Sequence, residues 1–146
     1  MLSRATTQVS QIGSLVPSEA IYFFAHLDGD GEALSGTNRY TLTFEPGSLP
    51  PLDHLGFWSV TMYGTDAFLV DNAVDRYIIR PDSPELAYGT DGSLTLYLQA
   101  DEPEGSPPAN WLPSPSAEFV IGLRAYRPSA SIQDGSWFPP AIRKVR

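Results

Sequence analysis

The stretch "NWLPSPSAEFVIGLRAY", residues 110–126, decides the fold, because two prolines lead directly into a strand pattern. Pro113 and Pro115 donate no backbone hydrogen bond and hold the chain near polyproline geometry. From Glu118 onward, apolar side chains recur at every second residue: Phe119, Ile121, Leu123 and Ala125. A period of two is typical of a strand with one buried face. The sequence therefore predicts a corner, at which the chain crosses between two sheets outside any ladder while Trp111 and Leu112 close the core.

The same alternation recurs along the chain and predicts an all-β fold. Further strand candidates are "AIYFFAHL" (20–27), "RYTLTF" (39–44), "FWSVTMY" (57–63), "FLVDN" (68–72), "DRYIIR" (75–80) and "LTLYLQA" (94–100). Long proline-rich loops are predicted at 45–56 and 101–116, since proline cannot donate to a central ladder. Seven or eight short strands separated by turn residues indicate an antiparallel β-sandwich.

The length of 146 residues fits a single domain. Residues 20–146 are assigned to the sandwich, and residues 1–19 to a lead-in that is helical or extended. Apolar residues spaced along this lead-in favour one short helix that ends before Pro17, because proline disfavours helix in the residue ahead of it.

The composition excludes several classes of function. With nine Lys and Arg residues and a formal net charge of -8, neither nucleic acid nor an anionic membrane surface is an expected partner. No cysteine is present, which excludes disulfides and thiolate metal sites. The sequence as given shows no signal-like segment and no apolar run of about 18 residues, so a cytoplasmic location is the default expectation.

Five segments together carry a family resemblance: "RYTLTFEPGSLPPLD", "FWSVTMYGTDAFLVDNAVDRYII", "DGSLTLYLQ", "NWLPSPSAEFVIGLRAY" and "DGSWFPPAIRKV". In this order they resemble the C-terminal domain family catalogued as domain of unknown function twelve-fourteen. The resemblance implies a jelly-roll-like sandwich and no established reaction. In many members of that family this domain follows a twelve-fifty-four domain, and such longer members often carry secretion signals. Neither is seen in this sequence, which leaves a stand-alone protein or the end of a longer, secreted one as alternatives.

Metal and catalytic motifs are not evident in the sequence. His26 and His54 have no metal-ligand spacing, and neither "HExxH" nor "GxSxG" occurs. The stretch "DGDGEALSG" resembles a calcium loop, but it lacks the glycine and glutamate that such a loop requires, so a turn is favoured. We therefore predict no metal and no cofactor, and the catalytic residues remain unknown.

"LVDNAVDRY" is the first candidate binding stretch. One interpretation is structural: Asn72 forms a turn, and an Arg–Asp pair fixes the corner between two strands. The other interpretation is functional: Asn72 and Arg76 line a pocket with Tyr63, where Arg76 holds a carboxylate by two hydrogen bonds. The structural interpretation is favoured.

The opening stretch supplies the other candidates. Asn110 and Trp111 raise the same choice. In the favoured interpretation they serve the core, with the indole N–H bound to a carbonyl; in the other, an exposed Trp111 stacks with Tyr97 or Tyr126 on a sugar ring or an aromatic ligand. Arg124 and Tyr126 lie on the strand face opposite Phe119 and are expected to point outward. A simpler explanation for Arg124 is an ion pair with Glu118 or Asp101.

Three functions stay open. The first and favoured one is a binding module for a small molecule or glycan, because 12% of the residues are aromatic without any catalytic motif. The second is a cofactor-independent lyase, isomerase or hydrolase that uses Asp71, Asp75, Arg76 and Tyr63. The third is a structural domain that completes a larger protein or forms a homo-oligomer through sheet edges or faces.

Overall fold

The computed structural model of the chain describes residues 15–145, and it is built almost entirely from strands. The eight strands are β1 (Ala20–Ala25), β2 (Tyr40–Phe44), β3 (Leu52–Gly64), β4 (Ile78–Ile79), β5 (Leu94–Gln99), β6 (Trp111–Pro113), β7 (Phe119–Pro128) and β8 (Arg143–Lys144). A 3-10 turn (Pro108–Asn110) and one short helix, α1 (Ala130–Gln133), complete the described elements. Within residues 15–145, no helix is long and apolar enough to cross a membrane.

The strands form two four-stranded sheets. The first sheet has the order β1-β7-β3-β4, and all of its neighbours are antiparallel. The second sheet has the order β6-β5-β2-β8, and its pair β5–β6 is parallel. Because consecutive strands alternate between the sheets several times, the chain ties the two layers together.

The core lies between the two sheets and is built from the predicted alternating residues. Leu94, Leu96 and Leu98 on β5 are each 0% exposed. The other inward-facing residues are Tyr40, Leu42 and Phe44 from β2, Trp58, Val60 and Met62 from β3, and Phe119, Ile121, Leu123 and Ala125 from β7. Tyr40 meets Phe119 across the layers with ring centroids 5.9 Å apart. The predicted all-β sandwich is confirmed.

The corner at Pro113 and Pro115 is confirmed as a crossing, with one correction. The chain leaves the second sheet after β6 and enters the first sheet at β7. Residues of β6 do join a ladder, however, since Pro113 pairs with Gln99 and Leu112 pairs with Leu98. An edge position explains this, because an edge strand can accept hydrogen bonds without donating on its outer side.

Other predicted boundaries also differ from the structure. The proline-rich loop assigned to 45–56 ends earlier, since β3 already begins at Leu52, and its pairing with β7 is irregular between Leu52 and Phe57. The segment 68–72 forms only a bridge between Tyr63 and Leu69, and the segment 75–80 retains only β4. The N-terminal helix predicted before Pro17 falls largely on residues 1–14, outside the described residues, and residues 17–19 form a turn.

Candidate functional site

The face of the first sheet that points away from the core carries the candidate site. Strand β7 alternates, so the residues between its core positions, including Gly122, Arg124 and Tyr126, lie on this outer face. The register places Tyr22 beside Arg124 and Phe24 beside Gly122. On the other side of β7, three residues of β3 share the same face: Ser59, Thr61 and Tyr63.

Arg124 on β7 is fixed by neighbours on the two adjacent strands, β1 and β3. Its Nη1 donates to Thr61 Oγ1 at 3.3 Å, and its Nη2 donates to the hydroxyl of Tyr63. The guanidinium carbon also lies 5.7 Å from the ring centroid of Tyr22 and 5.5 Å from that of Tyr63. These are distances at which a cation is attracted to an aromatic face. The half-buried side chain is therefore held in one orientation.

Arg124 has no carboxylate partner among residues 15–145. The ion pair expected with Glu118 or Asp101 is not formed. The described residues contain a single salt bridge, between Arg80 and Asp82. A guanidinium carries five N–H donors, and two are used in these hydrogen bonds, so three have no acceptor among the described residues.

Gly122 allows the aromatic side chains beside Arg124 to approach each other. A Cβ at this position would lie 3.1 Å from ring carbons of both Phe24 and Tyr63. The two rings therefore close over the backbone of β7 from opposite sides, in the space that a side chain would occupy.

A cavity of about 260 Å³ opens on this face next to Arg124. It is bounded by the ends of β1 and β3, the turn after β3, and the start of β7. The lining side chains include Phe24, His26, Tyr63, Ala67, Val120 and Arg124. The walls thus combine aromatic and aliphatic surface with several polar groups, namely the Arg124 guanidinium, the Tyr63 phenol, the His26 imidazole and the Thr65 hydroxyl, and no acidic residue lines the cavity.

The turn after β3 shapes one side of the cavity. Backbone hydrogen bonds link Gly64 N to Phe68 O at 2.9 Å and Ala67 N to Gly64 O at 3.0 Å. The Asp66 carboxylate accepts from Phe68 N at 3.1 Å, so it is turned toward its own loop. Ala67 adopts a φ of 66°, which is uncommon for a residue with a side chain. The turn is defined by its own hydrogen bonds rather than by a ligand.

A second aromatic group continues the outer face beyond Arg124. Phe57 stacks on Tyr126 with centroids 4.3 Å apart, and Tyr126 meets Tyr22 edge to face at 6.3 Å. Burial raises the pKa of Tyr22 above its ordinary value, and the neighbouring Tyr126 raises it further, while the Arg124 guanidinium partly opposes this shift. Tyr126 thus lies beside the Arg124 cluster, as the sequence predicted, but outside the cavity lining.

Asn72 and Arg76 belong to a separate network. Asn72 Oδ1 accepts from the backbone N–H of Val74 and Arg76, and its Nδ2 donates to Val70 O and Arg76 O. Arg76 Nη1 donates to the carbonyls of Pro108 and Trp111, the latter at 3.0 Å. The predicted turn at Asn72 is present. The expected pairing of Arg76 with an aspartate is replaced by carbonyl contacts, because the start of the 3-10 turn and the first residue of β6 each present an oxygen to the same guanidinium nitrogen.

Asn110 and Trp111 are buried parts of the framework. Asn110 is 3% exposed; its amide donates to Ala87 O and Thr95 O and accepts from Ala87 N. The Trp111 indole donates to Gln99 O at 2.9 Å, as the core interpretation of this residue predicts. Of the seven binding candidates named from sequence, only Tyr63 and Arg124 line the cavity.

The family comparison agrees with the resemblance seen in the sequence. The model of the family described as "Protein of unknown function (DUF1214)" matches residues 19–130. The chain belongs to this family. The matched range includes all of the cavity residues named above, so the cavity lies within the DUF1214 domain. No curated protein matches the chain.

Two solved structures share the fold of this DUF1214 domain. The VPA0106 protein from Vibrio parahaemolyticus matches 96% of the chain with a TM-score of 0.81 and 31% identity, and an uncharacterized protein from Burkholderia cenocepacia matches 92% with a TM-score of 0.54 and 19% identity. The second likeness concerns the fold alone. The match covers 34% and 31% of those chains, so this chain spans about a third of their length.

Sequence reasoning missed several cavity residues of this DUF1214 domain. Phe24 and Val120 were assigned to strands without a role and Ala67 to a turn, while His26 was considered only for catalysis or metal binding and set aside because no such motif is present. In the structure His26 is exposed at the end of β1, and His54 is exposed on β3. Residues 15–145 contain no group of three or more His, Asp or Glu side chains that could hold a metal. The missed signal lies in the outward-facing residues of β7. Val120, Gly122 and Tyr126 are far less polar than the residues of a strand face that is exposed to solvent.

Proposed function

We propose that this DUF1214 domain binds a small organic molecule in the cavity on the outer face of its first sheet. The observation that carries the proposal is the combination of aromatic walls with a guanidinium that still has free donors. Binding pockets are mostly apolar and contain a few fixed polar groups that orient the ligand. The cavity beside Arg124 has this composition.

The volume limits the size of the ligand. Pockets for drug-sized ligands measure about 300–1,000 Å³, and this cavity measures about 260 Å³. A single ring with one or two substituents fits such a space better than an oligosaccharide. A small molecule is therefore favoured over a glycan chain as the ligand.

Preorganisation supports binding rather than a structural role alone. Thr61 is 2% exposed and supports Arg124 from the sheet. Because the guanidinium is already ordered, a ligand that meets it loses less conformational entropy than it would with a mobile arginine.

The test is a binding screen with the complete chain against small neutral, cationic and anionic aromatic and aliphatic compounds and monosaccharides. Calorimetry and amide NMR are the suitable detection methods, because none of the three tryptophans lines the cavity. Bound compounds should shift the amide signals of residues around Phe24, Tyr63 and Val120. A screen without any such shift at millimolar concentrations would contradict the proposal.

Phe24 and Phe57 form a matched pair for the same test. Both lie on the outer face with similar exposure, 37% and 44%, but only Phe24 lines the cavity. Phe24→Ala should weaken binding of any hit by at least fivefold, while Phe57→Ala should leave it within twofold. Equal effects of both substitutions would place the ligand elsewhere on the sheet.

A further inference from the structure

We infer that the ligand of this cavity is a small carboxylate with a flat apolar body, bound through Arg124. The inference rests on the proposed function and adds the chemical class of the ligand. It follows from the state of Arg124, from the groups around it, and from the charge of the chain.

Arg124 has positive charge that nothing in the described residues neutralises. It is half-buried, it makes no ion pair within residues 15–145, and the cavity lining contains no Asp or Glu. Other arginines of the described residues also make no ion pair, but Arg124 is the one that lines the cavity. A half-buried charge is stabilised by a counter-charge, and the ligand is the group that can supply it.

The remaining donors of Arg124 suit a carboxylate. Thr61 and Tyr63 take one N–H from each terminal nitrogen, which leaves Nε–H and one N–H on each of Nη1 and Nη2. Parallel N–H groups of a guanidinium match the two oxygens of a planar carboxylate. The orientation of the fork is set by Thr61 and Tyr63.

The walls determine the rest of the ligand. Phe24 and Tyr63 present rings, and Val120 and Ala67 present aliphatic surface, next to the guanidinium. A flat ring can lie against these walls while its carboxylate reaches Arg124. The side chains of Tyr63 and His26, which also line the cavity, carry groups that can form additional hydrogen bonds.

The net charge favours a monoanion over a multiply charged ligand. A chain of formal net charge -8 repels anions. The unfavourable electrostatic free energy of bringing an anion to the chain increases with the charge of that anion. A single carboxylate therefore loses less to repulsion than a phosphate monoester, while it gains the same paired contact with Arg124.

The test compares benzoate with its neutral analogue benzyl alcohol and with acetate, using calorimetry on the complete chain. Benzoate should bind at least tenfold more tightly than either compound, since benzyl alcohol lacks the charge and acetate lacks the ring. Arg124→Gln should weaken benzoate binding at least tenfold and change benzyl alcohol binding by less than twofold. Arg124→Lys should recover only part of the loss, because an ammonium cannot present two parallel donors.

Arg80→Gln is the matched control. It removes one positive charge from the same chain, but Arg80 pairs with Asp82 outside the cavity lining. Benzoate affinity should stay within twofold of the wild-type value, and an equal loss in both variants would show a general charge effect and overturn the inference. Circular dichroism of Arg124→Gln must match the wild type, and Tyr63→Phe, which keeps the ring, provides a second variant with a smaller expected loss.

The outcomes separate the two proposals. If the wild type binds neither benzoate nor any other compound of the screen, both proposals fail. If neutral compounds bind in the cavity as tightly as benzoate, and Arg124→Gln leaves benzoate affinity unchanged, only the carboxylate inference fails.

Discussion

Gly36 lies directly against the carbonyl of Pro115: a Cβ on Gly36 would be 1.5 Å from the Pro115 oxygen and 2.6 Å from its carbon. The contact is held by neighbouring backbone hydrogen bonds, Gly36 N to Ala117 O at 2.9 Å and Phe119 N to Leu34 O at 3.1 Å. The proline corner therefore depends on a glycine almost 80 residues earlier in the chain, which it meets as it enters β7.

We expect Gly36→Ala to lower the free energy of unfolding by about 3 kcal/mol or more, because the obstacle is backbone and cannot move aside as a side chain can. Urea denaturation followed by circular dichroism measures the loss. Gly105→Ala is the control: it has a φ of 70° but nothing within 4 Å of its Cβ position. It should cost only about 1 kcal/mol, and a similar loss in both variants would contradict the clash.

Asn110→Ala should destabilise the domain by about 3 kcal/mol. The substitution leaves Ala87 N, Ala87 O and Thr95 O without their partner at a buried position, and an unsatisfied buried group costs about 1–3 kcal/mol. Urea midpoints of the variant and the wild type test this.

Asn38→Ala is the comparison for Asn110→Ala. Its amide makes one part-buried hydrogen bond, to the Tyr40 hydroxyl at 3.2 Å, so the expected cost is about 1 kcal/mol. If Asn110→Ala cost no more than Asn38→Ala, the three buried backbone groups would not be left unsatisfied, and the structural role of Asn110 would be contradicted.

Arg76→Lys should keep the fold and leave cavity binding unchanged. Arg76 uses one terminal nitrogen to reach two carbonyls, which an ammonium can also do, so the expected loss of stability is at most about 1 kcal/mol. Thermal unfolding and benzoate calorimetry test both parts. If Arg76→Lys lowered the affinity for benzoate, Arg76 would belong to the binding site, as the functional interpretation of the sequence predicts.

The sequence was sufficient for the core because period-two alternation identifies which side chains face inward, whatever the strand order. Leu94, Leu96 and Leu98 could therefore be assigned to the interior directly. The sheet order could not be read in the same way, since it depends on pairings between distant segments. The parallel pair β5–β6 is one example: nothing local to Trp111 indicates that it joins β5.

The cavity was predicted less well than the core for the same reason. Phe24, Tyr63 and Arg124 come from three strands that become neighbours only through the register of β7 with β1 and β3. Sequence reasoning placed Arg124 outward correctly but grouped Tyr63 with Asn72 and Arg76, which are close to it in the chain. Proximity in sequence was the misleading signal.

Stability should fall at alkaline pH through Tyr22. Burial and Tyr126 raise its pKa above the ordinary value of 10.0, so the folded state favours the neutral phenol. The contribution is complete below about pH 10 and is lost as the pH rises through the higher pKa of the folded state. Urea midpoints should stay level from about pH 8 to 9 and decline above about pH 10, and Tyr22→Phe should make the decline shallower.

Tyr77 is the control for this titration, because its pKa is also raised, first by its hydrogen bond to Asp75. Tyr77→Phe removes its separate contribution, and the double variant should have the shallowest slope. A slope in Tyr22→Phe that equals the wild-type slope would show that Tyr22 does not lose its proton in this range.

Gly122→Ala should change the cavity more than it changes stability. The new Cβ would lie 3.1 Å from ring carbons of Phe24 and Tyr63, and Phe24, which is 37% exposed, can tilt outward. We expect the free energy of unfolding to change by less than about 1 kcal/mol, because removing a glycine also restricts the unfolded chain. The ring signals of Phe24 and Tyr63 should shift in NMR spectra, and benzoate should bind at least fivefold more weakly.

Gly56→Ala is the comparison for Gly122→Ala on the same sheet. At Gly122 the new Cβ meets aromatic rings that can move, whereas at Gly56 it meets backbone that cannot. Its Cβ would lie 2.6 Å from the carbonyl oxygen of Tyr126 and 2.8 Å from the Leu52 side chain. Since the backbone of β7 cannot move aside, this variant should lose about 3 kcal/mol. If Gly122→Ala lost as much as Gly56→Ala, the ring of Phe24 would be fixed in place, and the cavity wall would be as rigid as the sheet beneath it.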